Sequence, residues 1–189
     1  MKLQQVKHIF LIGLLVIIVP TIILVLFRKR IFGFILKPEQ EKHIAKLHRK
    51  AKFIFEKFID RVEKETGYNI IITDSYRTFA DQKIEHDLDP RNPEPGYSLH
   101  NFGMGLDLNA TDGLSYLRKA SSKEAWENTG IPQIAREMGI KWGGDFVYYH
   151  DPVHFDLSHD YDVNQLRELA ISQYGTDWNN IFGNQIQLA

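Results

Sequence analysis

Cysteine is absent from all 189 residues, which excludes disulfides, thiolate metal sites and cysteine nucleophiles. A transition metal would have to be held by histidine and carboxylate. An excess of either charge is also missing: 23 lysines and arginines against 24 aspartates and glutamates leave a formal net charge of -1. That balance argues against affinity built on neutralising phosphates, so nucleic acid is not an expected partner. There is no internal repeat and no low-complexity tract. What is present is a chain 43% hydrophobic and 25% charged. Once an apolar N-terminal run is set aside, about 150 residues remain for one compact domain.

That run, IFLIGLLVIIVPTIILVLF from Ile9 to Phe27, carries no charge and is long enough to cross roughly 30 Å of hydrocarbon. It is read as a retained transmembrane anchor. It exceeds the apolar core of a signal peptide, and the RKRIFGFILK that follows lacks a small-residue cleavage site. Pro20 within it is tolerated better in lipid than in water. The expected organisation is a tail (1–8), an anchor (9–27), a juxtamembrane stalk (28–50) and one folded domain (51–189). Arg28, Lys29, Arg30 and Lys37 follow the span, whereas only Lys2 and Lys7 precede it. By the positive-inside rule alone this leaves the domain in the cytoplasm, although long domains translocate against such a bias.

Beyond Pro38, Ile44, Leu47, Ala51, Ile54, Phe58 and Val62 recur at helical spacing up to a stop at Gly67, predicting one amphipathic helix. NIIIT at Asn69–Thr73 reads as a buried strand, and Thr78 with Asp81 opens a short helix to about His86. DLDPRNPEPGY, Asp87–Tyr97, holds three prolines and must be loop, a candidate rim for a site. Met104–Asn109 and Val153–Leu157 alternate like strands. Pro132 starts a helix ended by Gly139, and Asp162 caps a last one. Strands and helices do not alternate regularly enough for a doubly wound sheet, so the class is α+β, a small antiparallel sheet flanked by helices.

Among the eight histidines, His8, His43 and His48 fall on the anchor or stalk and read as solvated or snorkelling. His100 lies on a loop seven residues before Asp107, and Gly103 and Gly105 permit the turn that would bring the two together. His154 follows Asp151 by three residues and precedes Asp156 by two, so on a strand His154 and Asp156 share a face. Two imidazoles and a carboxylate would leave the fourth position of a tetrahedral zinc open for water. Asp107 and Asp156 as turn caps or lysine partners is the plainer alternative. His150 and His159 read as structural or exposed, and Trp142, Tyr148 and Tyr149 as core or cleft wall.

Three motifs in order carry a resemblance. Ser98-Leu99-His100-Asn101-Phe102-Gly103-Met104-Gly105-Leu106-Asp107 resembles the Ser-x-His-x-x-Gly-x-Ala-x-Asp pattern of the M15-type zinc peptidases, with Gly105 in place of alanine. Trp142-Gly143-Gly144-Asp145 with Asp151-Pro152-Val153-His154-Phe155 resembles the downstream pattern, and Ile72-Thr73-Asp74-Ser75-Tyr76-Arg77 with Gln82 the upstream one. The family includes D-alanyl-D-alanine carboxypeptidases, L-alanyl-D-glutamate endopeptidases and many phage endolysins. The resemblance covers roughly Gly67 to Leu157 and implies a hedgehog/DD-peptidase-like fold. It implies one Zn2+ held by His100, Asp107 and His154, with Asp151 as general base and Arg77 on the oxyanion. Ser98, Gln82 and Tyr76 are implied at the substrate. Aspartate before His-Phe resembles the endopeptidase branch, so peptidoglycan peptides cut at L-Ala–D-Glu are the expected substrate. D-Ala-D-Ala carboxypeptidase activity and a non-catalytic zinc module, as in the hedgehog signalling domain, are the alternatives. A wall substrate requires the domain on the outer side of the membrane, against the charge bias.

Overall fold

The computed structural model describes residues 38–175, 178 and 183–188; the expected anchor, 9–27, and the basic residues after it lie outside these. Among the described residues no helix is long and apolar enough to cross a membrane.

The single helix expected after Pro38 is two. Residues 38–45 are helical, and α1 is Arg49–Thr66. The break falls at His48, whose ψ of 141° is not helical and whose Nδ1 accepts the Lys50 N–H as an N-cap. Its own N–H donates to the Gly103 carbonyl, and its Nε2 lies 3.0 Å from the Ile186 carbonyl. His48 is therefore buried rather than solvated. Ile44 and Leu47 join the hydrophobic core, so the described part of the expected stalk, 38–50, belongs to the folded domain. Its apolar residues have a core beneath them, and burying them outweighs any tendency to stand free. α1 buries Ala51, Phe55, Phe58, Ile59 and Val62, one stripe at helical spacing, and ends at Gly67 in the left-handed region.

Five strands form one antiparallel sheet: β1 (Asn69–Asp74), β2 (Gly105–Thr111), β3 (Tyr116–Leu117), β4 (Lys141–Trp142) and β5 (His154–Asp156). Their order is β1-β2-β5-β4, with β3 pairing the far end of β2. The helices α2 (Phe79–Leu88), α3 (Lys123–Glu127), α4 (Ile131–Glu137) and α5 (Val163–Tyr174) complete the domain. The α+β class agrees with the sequence reading. α2 and α5 carry the caps expected of them, Thr78 accepting from Asp81 N–H and Asp162 from Asn164 and Gln165. The two-residue strands β3 and β4 and the short α3 are too brief to show any periodicity.

Strand alternation divides the sheet into two chemically different faces. Ile70, Ile72, Leu106, Leu108, Phe155 and Trp142 are buried on one of them. Phe155 meets Phe58 of α1 at 5.3 Å and Trp126 of α3 at 6.3 Å between ring centroids. The pairings Asp107↔His154, Gly105↔Asp156 and Lys141↔Asp156 put the polar residues together on the other face. The register slips by one residue between Ile72 and Asp74, so that Asp74 pairs with Asp107 instead of continuing the buried set.

Candidate metal centre

His100 stands on a 3-10 turn, Leu99–Phe102, and its own N–H donates to the capping Ser98 Oγ. The turn closes at Gly103, with φ of 65°. A Cβ there would lie 2.5 Å from the His48 nitrogen, so both conformation and space demand glycine. The chain then re-enters the sheet at Gly105 and presents Asp107 two residues on. His154 opens β5 beside it. The close approach of that strand's entry depends on Gly143, where a Cβ would fall 2.3 Å from the Asp151 carbonyl oxygen.

Three ligand atoms converge here. His100 Nε2 lies 3.1 Å from His154 Nδ1 and 3.2 Å from Asp107 Oδ1, and His154 Nδ1 lies 2.9 Å from the same Oδ1. Donors about 2.0–2.1 Å from a tetrahedral zinc stand about 3.3–3.4 Å from one another, so the triangle needs to open by only a few tenths of an ångström to hold the ion. The tautomers fit as well. His100 Nδ1 is 2.8 Å from the Ser75 carbonyl, which can only accept, so the proton sits on Nδ1 and Nε2 offers its lone pair. His154 Nε2 is 3.1 Å from Asp156 Oδ2, which places that proton on Nε2 and aims Nδ1 inward. Asp156 thus lies behind the donor set, not in it, and Oδ1 of Asp156 is spent on the Ser158 N–H.

The electrostatics call for a cation. Burial alone would raise the Asp107 carboxyl, yet the charge and hydrogen bonds of His100 and His154 hold it well below the usual carboxylate range. Burial likewise disfavours the His154 imidazolium, but hydrogen bonds and charge from Asp107 and Asp156 push it up to about 10. Asp156 is raised by burial and lowered further by His154, for a net depression. Without a metal, then, the site takes up a proton in the same place.

The triad opens onto a cleft of about 310 Å³. Asp151 lines it, with Oδ1 buried and accepting no hydrogen bond while Lys119 Nζ stands 3.5 Å away. Arg77 lines it too, but is largely committed: Nε and Nη2 donate to Asp74 Oδ2 and Nη1 to Gln82 Oε1. Two of its five N–H groups remain, with Nη2 3.9 Å from Asp107 Oδ2. Two expected substrate contacts lie off the wall. Gln82 is fully buried behind Arg77, its Nε2 donating to the Pro93 carbonyl at 2.7 Å, so it orients Arg77 and cannot reach a ligand. Tyr76 is half-buried and does not line the cleft. Ser98 lines it while capping the His100 turn.

Of the aromatics, Trp142 is core and donates to the Pro152 carbonyl, Tyr149 lines the cleft, and Tyr148 is fully exposed and belongs to neither. His150 and His159 are exposed, as read. Sequence reasoning missed Lys119, Lys141 and Phe146 on the wall. Lys141 carried a signal in retrospect, as the one charged residue between the buried Ile140 and Trp142.

Fold and site together define an α+β domain with three donors placed to hold a metal and open to a cleft. Residues 91–157 match a family model described as D-alanyl-D-alanine carboxypeptidase. Among curated proteins, the peptidoglycan L-alanyl-D-glutamate endopeptidase CwlK of Bacillus subtilis (strain 168) is 26% identical over 105 residues, 48% of this chain and 62% of that protein. The chain thus covers less than two thirds of that relative. Two solved structures are similar. The Serratia marcescens L-Ala D-Glu endopeptidase ChiX has a TM-score of 0.47 at 19% identity, over 64% of this chain and 88% of that one. The vancomycin-resistance D,D-pentapeptidase VanY, in complex with Zn(II), has a TM-score of 0.47 at 15% identity, over 65% and 78%. With the family match falling on two of the three motifs, the resemblance to an M15-type peptidase stands.

Proposed function

We propose that the protein is a zinc metallopeptidase hydrolysing peptide bonds in peptidoglycan stem peptides, at L-Ala–D-Glu. The observation that carries this reading is the convergence of His100, Asp107 and His154, with both tautomers fixed, beside an uncapped carboxylate at Asp151. The activity named for the Bacillus relative supports the choice of bond. Cleavage of terminal D-Ala is the second reading, favoured by the description of the matching family. The Ile9–Phe27 run would hold the enzyme in the membrane by a single pass, with the domain on the outer side where the wall is.

His100, Asp107 and His154 would hold the zinc, which would supply Lewis-acid polarisation of the scissile carbonyl and lower the pKa of water towards neutrality. Asp151 takes the proton of the attacking water and passes it to the leaving amine. The two uncommitted N–H groups of Arg77 face the oxyanion, which develops only on the way to products, so they act on rate more than on binding. Tyr149, pushed up by burial and by the charges of Asp151, Asp156 and Asp107, stays a phenol and adds a donor to the wall. Replacing Asp151 with Ala should leave zinc bound and lower turnover by about 100-fold or more. Loss of zinc from that variant would mean that base and ligand have been exchanged.

A further inference from the structure

Among the described residues three cations line the cleft, and they are held differently. Arg77 is fixed by Asp74 and Gln82. Lys141 lies with Nζ 5.3 Å from the centre of the Phe146 ring. Lys119 is the cation beside the proposed base: Nζ is 3.5 Å from Asp151 Oδ1, an oxygen that is buried and accepts no hydrogen bond. Its backbone is pinned, since Ser121 N–H donates to the Arg118 carbonyl, Trp126 Nε1 donates to the same carbonyl, and His150 Nε2 sits 3.2 Å from the Ser121 carbonyl. Its side chain is 69% exposed. An ammonium has three donors and can hold two carboxylates at once.

The chemistry of the leaving group says what the second carboxylate is. Asp151 must reach the leaving nitrogen to protonate it. In both bonds considered, that nitrogen belongs to a residue with a free α-carboxylate: D-Glu linked through its side chain, or a terminal D-Ala. The carboxylate carbon is two bonds from the nitrogen, about 2.5 Å away. Delivering Asp151 to the amine therefore brings two negative groups together in a cleft that already contains Asp107 and Asp156.

We propose that Lys119 binds this α-carboxylate, so that the enzyme selects peptide bonds whose leaving residue carries a free α-carboxylate and discriminates against its amide. The inference rests on the peptidase reading. It goes further in naming the residue that reads the substrate and the modification, amidation of D-Glu to D-isoglutamine, that would protect a wall from this enzyme.

The test uses the full-length, zinc-loaded chain and two matched pairs of probes. These are L-Ala-γ-D-Glu-L-Lys with its D-isoglutamine counterpart, and L-Lys-D-Ala-D-Ala with its C-terminal amide. For the bond that is cut, kcat/KM should fall at least 30-fold on amidation. Lys119→Met should lower kcat/KM for the carboxylate substrate by a similar factor, through KM, and for the amide by a much smaller one, because Lys119 also stands beside Asp151. The affinity for the leaving product, γ-D-Glu-L-Lys or D-Ala, measured by calorimetry without turnover, should weaken in parallel. An unchanged Tm is expected for so exposed a side chain. Equal cleavage of both members by the wild type, or equal loss on both in Lys119→Met, would overturn the assignment while leaving the peptidase reading intact. Failure of the wild type to cut either pair would remove the peptidase reading, and the inference with it.

Discussion

Zinc held by the triad would compete with a proton for the same nitrogen of His154, and that competition would fix how metal affinity varies with pH. In the metal-free protein burial opposes the imidazolium, but Asp107 and Asp156 hold it to a pKa of about 10. Nδ1 can bind a metal only after losing that proton, so binding near neutral pH must expel it. At pH 7 the group is about three units below its pKa, which costs about 4 kcal/mol, or roughly a thousandfold in affinity. The apparent zinc dissociation constant should therefore rise about tenfold for each unit of pH lost between about 9 and 7. A histidine titrating at its ordinary value would contribute no slope there. The sign for folding is the reverse of the usual carboxylate case. His154 has a raised pKa, so its contribution to the metal-free fold is complete below 6.5 and lost as pH rises through about 10. Chelator competition across this range gives the slope, and calorimetry in buffers of different ionisation enthalpy gives the proton count, expected to be one from His154 in addition to any released by zinc-bound water. A zinc affinity flat from about pH 7.5 to 9, with no proton released, would refute the argument that Asp107 and Asp156 keep the site charged.

His48 should make the domain acid-sensitive: burial depresses its pKa against the pull of the Ile186 carbonyl, with Lys50 and Arg49 adding to the depression. Its contribution is present above 6.5 and lost as pH falls through the lower folded value, and His48→Ala should cost about 1–2 kcal/mol at pH 7 and flatten the acid limb of Tm against pH. Gly143→Ala should destabilise by about 3 kcal/mol, because its Cβ would meet the rigid Asp151 carbonyl at 2.3 Å. Gly105→Ala should fold normally and weaken zinc only slightly, since its Cβ meets the His100 ring at 3.1–3.2 Å and that ring need give only a few tenths of an ångström; denaturation curves and zinc titrations check both.

The parts of the fold that showed in the sequence were those with long periodic signals or caps. α1 declared its stripe, Thr78 and Asp162 declared helix starts, and the triad declared itself through two motifs whose residues the structure brings together. What did not show depends on contacts distant in sequence. Nothing near His48 announces that the Gly103 and Ile186 carbonyls bind it and break the helix there. The slip at Thr73 that turns Asp74 towards Asp107 comes from strand pairing, and so does the placing of Lys141 across from Asp156. Motif position puts Gln82 at the substrate because it cannot tell a side chain facing the cleft from one buried a layer behind it, holding Arg77.

Digestion of purified peptidoglycan by the full-length, zinc-loaded chain, followed by mass spectrometry of the muropeptides, separates a peptidase from a domain that only binds metal. Fragments with a new N-terminal D-Glu are expected from the wild type and none from His154→Ala. Intact stem peptides after prolonged digestion, or the same fragments from His154→Ala, would contradict the peptidase reading.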